Sequence, residues 1–223
     1  MFTMRNRFQA KRDHILKAAR RIVSEGGFHD LQMLAVAAAA GVSVGSVYRY
    51  YPSKSELCAA LVARVSAREL SVIEAALATE GTEPARLVAA VETFARRALQ
   101  NPRLAYAMIH EPVDEEVDRV RLEYRAAISH AFERLIVAGR RSGAFRPVTA
   151  RTAAACIVGA LMEALVGPLA PDNPREAAER TPFVEELSSL CVAMLATGPP
   201  ATLVRPRPKR SAARRGRRRG PQS

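Results

Sequence analysis

The sequence predicts an all-α protein: an N-terminal three-helix helix-turn-helix head, then a larger helical body, about nine helices together. Three observations carry this. Ala and Leu dominate the first 165 residues while Gly and Pro are sparse there, a composition that favours helix. Apolar residues recur at spacings of three and four rather than two, and no alternating runs flank hairpin turns. Ser, Asn, Gly and Pro punctuate the pattern at the positions where helices start and stop. With 223 residues, 48% of them hydrophobic, the chain has enough apolar surface for a substantial core.

Helix 1 is expected over about Ala10–Glu25, where Ile15, Ala18, Ala19, Ile22 and Val23 share one face and Gly26-Gly27 ends it. Residues 1–9 read as a loose basic arm. Phe28 folds back to the core. Helix 2 covers about Gln32–Ala39, Gly41 supplies a tight turn, and helix 3 covers Val44–Tyr50 with Ser43 as its N-cap. Pro52 stops helix 3. Ser53 and Glu56 form the capping box of a long helix 4 that reaches about Ala78. Further helices are expected at about Pro84–Gln100, Pro102–His110 (capped by Asn101), Glu115–Ser142 (ended by Gly143) and Ala150–Val166. A loop over 167–174 and an extra helical turn over 175–181 precede a final helix at about Pro182–Ala196. From Gly198 on, Pro, Arg, Gly and Ser take over and disorder is expected. The domains are therefore 1–52, the helix-turn-helix head with its arm; 53–197, the body; and 198–223, a basic disordered tail.

Charge divides along the same lines. Residues 1–56 carry nine Lys/Arg against four Asp/Glu, and residues 57–199 carry 16 against 18. Residues 200–223 carry nine basic side chains and no acidic one, within a net charge of +12 for the chain. Basic ends around a near-neutral middle point to a polyanionic partner, nucleic acid before membrane surface. No 18-residue apolar run and no signal-peptide core are read, so no membrane association is expected. Cys58, Cys156 and Cys191 are scattered and lack metal-ligand spacing, as reduced thiols of a cytoplasmic protein would be. His14 and His29 have no metal-ligand companions, and no nucleophile–base pair or phosphate loop is visible. Neither an enzyme nor a metal or cofactor is expected.

The segment Ala-Gly-Val-Ser-Val-Gly-Ser-Val-Tyr-Arg-Tyr-Tyr-Pro-Ser-Lys-Ser-Glu-Leu (40–57) resembles the tetracycline-repressor (TetR-type) family of bacterial transcription regulators. Ile15-Leu16-Lys17-Ala18-Ala19 and Gly27-Phe28 fit it at the right distance upstream. The resemblance implies a DNA-reading helix 3, with Val44, Gly45, Ser46, Tyr48, Arg49 and Tyr50 toward DNA, and a ligand-binding, dimerising body. The residues themselves allow this. Val42 and Val47 are spaced to pack inward, Ser43 is among the outward positions, and Gly45 permits close approach. Ser46 and Tyr48 can hydrogen-bond bases or phosphates, and Val44 can meet a thymine methyl. Lys54 stands at a helix start whose amides favour phosphate. Against these stand plainer readings: Tyr48 as core and Lys54 as a solvated charge. Tyr51 reads as core. The chain departs from the family at Leu31, Leu34, Ala38 and Ala39, where hydroxyl or polar residues are usual. Gln32 remains to grip phosphate from helix 2, with Arg5, Arg7 and Arg12 of the arm to compensate.

In the body, the eighth helix is apolar nearly all round, so it must be covered on every side. With the final helix it suits a four-helix homodimer interface, which would set two recognition helices one DNA turn apart on a palindromic operator. Glu163 is its exception: an ion pair with Arg97 or Arg125, a polar anchor for an effector, or an exposed charge. Phe94, Tyr106, Met108, His110, Tyr124, Arg125, Ile128, Phe132 and Met162 are candidates for a mostly apolar small-molecule site, although such side chains at helical spacing also serve as plain core. His110-Glu111-Pro112 stands between that site and the head, placed to transmit a shift.

The expectation is a cytoplasmic, nucleoid-associated homodimer that binds double-stranded DNA as a sequence-specific regulator, a repressor released by a small, largely apolar effector. The alternative is a less specific architectural DNA-binding protein that relies on its tail. Arg205, Arg207, Lys209, Arg210, Arg214, Arg215, Arg217, Arg218 and Arg219 form a cationic run that binds phosphates through counterion release. Deleting 200–223 is expected to lower DNA affinity and flatten its salt dependence while leaving site preference intact; a truncated protein with an unchanged salt slope refutes this.

Overall fold

The computed structural model describes residues 4–172 and 177–197. Among these, nine helices and no strands form the chain: α1 (Met4–Gly26), α2 (Met33–Ala40), α3 (Val44–Tyr50), α4 (Lys54–Leu77), α5 (Glu83–Gln100), α6 (Pro102–Ile109), α7 (Glu115–Ser142), α8 (Ala150–Leu169) and α9 (Ala177–Ala193). The all-α architecture matches the expectation.

The caps act as the sequence implies. Ser43 Oγ accepts the Ser46 N–H at 3.2 Å, Ser53 Oγ accepts the Glu56 N–H at 3.0 Å, and Asn101 Oδ1 accepts the Leu104 N–H at 3.4 Å. Gly41 closes α2 at φ 61°, where a Cβ would be strained, and its N–H returns to α2 carbonyls.

Two readings are corrected. Residues 4–9 are not a loose arm but the first turns of α1. Phe8 in this extension lies against Tyr50 of α3, ring centroids 4.8 Å apart, which gives the extra turns a surface to pack on. Pro182 does not begin the last helix but sits inside α9, which starts at Ala177.

Two apolar clusters organise the molecule. The first joins α1, α2 and α3 to the first half of α4 through Ile15, Leu31, Val36, Val47, Tyr51 and Leu61, and is closed by Leu104 and Ala107 of α6 and Val117 and Val120 of α7. The second fills the body between α4, α5, α7, α8 and α9, around Phe94, Phe132, Ile157, Leu161 and Leu165. Helix α4 therefore runs from one core into the other.

Helix α8 is long and apolar enough to cross a membrane by length and composition, contrary to the reading that no segment is. Its face of Ala154, Ile157, Leu161 and Leu165 is buried in the body core, and it carries Arg151 and Glu163. That is the pattern of a core helix. The opposite face, with Ala155, Cys156, Gly159 and Glu163, is exposed in the single chain. The basic tail lies outside the described residues.

Candidate nucleic-acid interface and body cavity

Helix α3 turns Val47 into the head core at 0% exposure, with Val42 and Val44 half-buried beside it. One inward anchor on a seven-residue helix leaves the rest outward. Ser43, Gly45, Tyr48 and Arg49 are exposed, Tyr48 at 48%, and Ser46 is half-buried. Tyr50, also half-buried, is engaged by Phe8. Tyr51 is core at 1% exposure. Its hydroxyl donates to the Arg12 carbonyl at 3.3 Å, and burial pushes its pKa above the usual phenol value. The Arg12 guanidinium lies 4.8 Å from the Tyr51 ring centre, so Arg12 braces the head. Arg7 is exposed on α1; Arg5 lies in the first turn of that helix.

Helix α2 starts without a side-chain cap. Gln32 at its N-cap sends Nε2 to the His29 carbonyl at 3.0 Å, which leaves the first-turn amides open to an anion. Its other end is held from α1, where His14 Nε2 lies 2.8 Å from the Ala40 carbonyl and Arg21 donates to the Ala39 carbonyl at 3.4 Å. Leu31 is fully buried and Leu34 is 70% exposed. The departure at Leu31 is thus absorbed by packing, whereas that at Leu34 is displayed. Lys54 is half-buried in the first turn of α4.

The body holds a cavity of about 390 Å³ bounded by α1, α4, α5, α6, α7 and α8. Phe94, Met108, Tyr124, Arg125, Ile128 and Met162 line it, as the sequence suggests. Four other candidates lie off it. Phe132 is wholly buried in the core, and Tyr106 and His110 lie ring to ring at 5.5 Å. Glu163 is exposed on the far face of α8. Neither Arg97 nor Arg125 pairs with it: Arg97 makes a two-pronged pair with Glu69, both bonds 2.7 Å, and that hydrogen bonding raises the Arg97 pKa. Arg125 donates to the Ile109 carbonyl at 3.1 Å.

Arginines are what the sequence reading missed. Arg20, Arg64, Arg68, Arg97 and Arg121 also line the cavity. A signal for them existed, since Arg64/Arg68 and Arg121/Arg125 are each four apart and so share a helix face. Arg121 is buried and holds the end of α6: Nε donates to the Met108 carbonyl at 3.0 Å, and Nη2 to the carbonyls of Ala107 and Glu111 at 2.7 Å each. Just beyond, Arg103 and Glu111 clasp the head. The Glu111 carboxylate accepts the Phe28 N–H at 3.1 Å and pairs with Arg103 at 3.2 Å, while Arg103 donates to the Gly26 carbonyl. Gly27 leaves room for that guanidinium; a Cβ there would collide with it. Among the described residues no three His, Cys, Asp or Glu side chains gather as metal ligands would.

The model of bacterial regulatory proteins of the tetR family matches residues 15–61, and that of the tetracyclin repressor-like C-terminal domain matches residues 80–165. The chain belongs to the tetR family. Among relatives of this TetR-family chain, the HTH-type transcriptional repressor KstR of Mycolicibacterium smegmatis is 39% identical over 98 residues, which cover 44% of this chain and 48% of KstR. The chain thus spans about half the length of the curated relatives it matches first. The fatty acid degradation regulator FadR from Bacillus halodurans superposes with a TM-score of 0.71 at 22% identity, over 82% of this chain and 94% of FadR. Bacillus subtilis FadR in complex with stearoyl-CoA gives 0.68 at 19% identity, over 84% and 98%. These superpositions show that the TetR-family fold extends over head and body.

One position separates folding from recognition on α3. A Cβ at Gly45 would meet nothing within 4 Å. Gly45→Ala should leave folding stability unchanged or raise it, by at most about 0.5–1 kcal/mol from helix propensity. If α3 approaches DNA closely there, the same change lowers DNA affinity. Calorimetry with a mobility-shift titration checks both; unchanged DNA affinity removes Gly45 from the interface.

Proposed function

We propose that the chain is a homodimeric, sequence-specific DNA-binding transcriptional repressor, released from a palindromic operator by a small molecule held in the body cavity. The observation that carries this is the continuity between the two sites. The α3 surface of Tyr48, Arg49 and Gly45 stands on a head whose α1–α2 turn is held by Glu111 and Arg103, and those residues flank the helix end that Arg121 ties to the cavity. The names of KstR and FadR, both regulators, support the reading.

The residues assigned to DNA are Ser43, Val44, Gly45, Ser46, Tyr48, Arg49 and Tyr50 of the turn and α3, with Gln32, Lys54, Arg5, Arg7 and Arg12 for phosphates. Arg12 and Tyr50 act mainly by bracing, since each already holds a ring partner. The setting is the cytoplasm, on the nucleoid. The dimer forms through the exposed face of α8 and that of α9, where Leu190 is 59% exposed. Release follows if the effector binds the free arrangement of the heads better than the DNA-bound one.

Selection of bound DNA from a random pool should return one palindrome whose half-sites lie about 34 Å apart, one helical turn. Enrichment without a shared sequence would favour the architectural alternative. Thiol labelling tests the dimer. Burial pushes Cys58 and Cys191 up to about 11, so both should stay unreactive near neutral pH, while Cys156 is exposed on α8. Cys156 should label slowly at concentrations where the dimer forms and quickly on dilution. Concentration-independent labelling would place the dimer elsewhere.

A further inference from the structure

The cavity is not uniform, and its burial runs in one direction. Its floor is apolar: Phe94, Ala98, Leu104, Met108 and Ile128 are all at most 8% exposed. Its mouth is cationic: Arg20 of α1 and Arg64 and Arg68 of α4 line it and are exposed. Charge balance separates these arginines from the others. Arg97 is neutralised by Glu69, the sole carboxylate of the lining, and Arg121 is committed to α6 carbonyls and Asp118. Arg64 meets Asp13 only at 3.4 Å with 64% of its side chain in solvent. Arg20 and Arg68 have no ion-pair partner among the described residues, and Arg125, half-buried between mouth and floor, has only a backbone carbonyl. Like charges gathered around a low-dielectric recess repel one another unless an anion joins them.

We infer that the cavity takes an anionic amphiphile: an apolar body on the Phe94–Ile128 floor and a carboxylate or phosphate end group among Arg20, Arg68 and Arg125. This rests on the cavity being the effector site of the regulator proposed above, and it revises the expected effector from largely apolar to two-ended. At roughly 30 Å³ per heavy atom at liquid density, the volume admits an apolar body of about a dozen carbons. The end group has a consequence for regulation. Arg20 belongs to the head, while Arg68 and Arg125 belong to α4 and α7, so one anion bridges head and body at the point where they meet.

Matched probes test the class. Dodecanoate, dodecyl phosphate, dodecanol and dodecyltrimethylammonium share one chain, and each is titrated into the full chain below its micelle-forming concentration. At least one anionic probe should bind about ten- to a hundredfold more tightly than dodecanol, the worth of one or two charge-assisted hydrogen bonds. That advantage should shrink with salt. The tighter of the two anions identifies the end group. Arg20→Gln with Arg68→Gln should erase the advantage while dodecanol binding persists, and Arg68→Lys should keep much of it. Both side chains are exposed, so circular dichroism should be unchanged. Equal affinity for dodecanol and both anions, preference for the cation, or no binding of any probe overturns the inference. DNA release is read separately on the selected operator. Anion binding that leaves the DNA complex intact upholds the ligand class and overturns its role as the releasing effector.

Discussion

The end of α6 imposes the constraint on which the rest of the molecule depends. A helix leaves its last carbonyls without intrahelical partners, and two of those of α6 belong to the buried residues Ala107 and Met108. Arg121 resolves this from α7 by donating to the carbonyls of Ala107, Met108 and Glu111 at once. Each buried carbonyl left unpaired costs about 1–3 kcal/mol, so Arg121, with Arg125 on the Ile109 carbonyl, is what lets α6 stop here. Because it stops here, Glu111 emerges facing the α1–α2 turn, and the head gains a polar tie to the body beside the packing of α4, α6 and α7. The same guanidinium lines the cavity. One buried arginine thus serves a helix end, the head attachment and the cavity wall.

What the sequence made legible follows the range of the interaction that decides each feature. The caps at Ser43, Ser53 and Asn101 and the turn at Gly41 are local, and the starts of α3, α4 and α6 and the end of α2 read directly from them. The inward anchors Val47 and Tyr51 follow from period alone. The start of α1 did not, because residues 4–9 are held by Phe8 against Tyr50, a contact spanning 42 positions that no local propensity encodes. The cavity was half legible: aromatic and methionine side chains mark apolar space, but the arginines gather from α1, α4, α5 and α7 only once the fold exists. Of the three readings of Glu163, the exposed charge is the one the single chain displays, for a related reason. An apolar helix suggests cover on all sides, yet a single chain buries only one face of α8.

That uncovered face ties composition to assembly. Helix α8 is long and apolar enough by composition to cross a membrane, and burial within the chain accounts for only part of its surface. Small residues on the outer face, Ala155, Cys156 and Gly159, would let a second helix approach closely, and Glu163 among them requires a polar or solvated neighbour in any assembly. The near-neutral charge of residues 57–199 leaves such a contact free of strong self-repulsion, while the basic charge sits at the ends.

Helix α1 is the element that joins these pieces. Its 23 residues span about 35 Å. At its start Phe8 touches the recognition helix, near its end Arg20 faces the cavity mouth, and at its last residue Gly26 is gripped by Arg103. Any rotation of α1 that follows the mouth arginines must therefore carry Tyr50 with it or break the Phe8 contact. A ligand moves such an equilibrium only by its difference in affinity for the two arrangements, and a ten- to hundredfold difference is about 1.4–2.7 kcal/mol. The clasp has to be weak on the same scale. The bonds that cross to the head, from the Phe28 N–H to Glu111 and from Arg103 to the Gly26 carbonyl, are part-buried, which fits that need better than fully buried ones, whose loss would cost more than such a ligand can return.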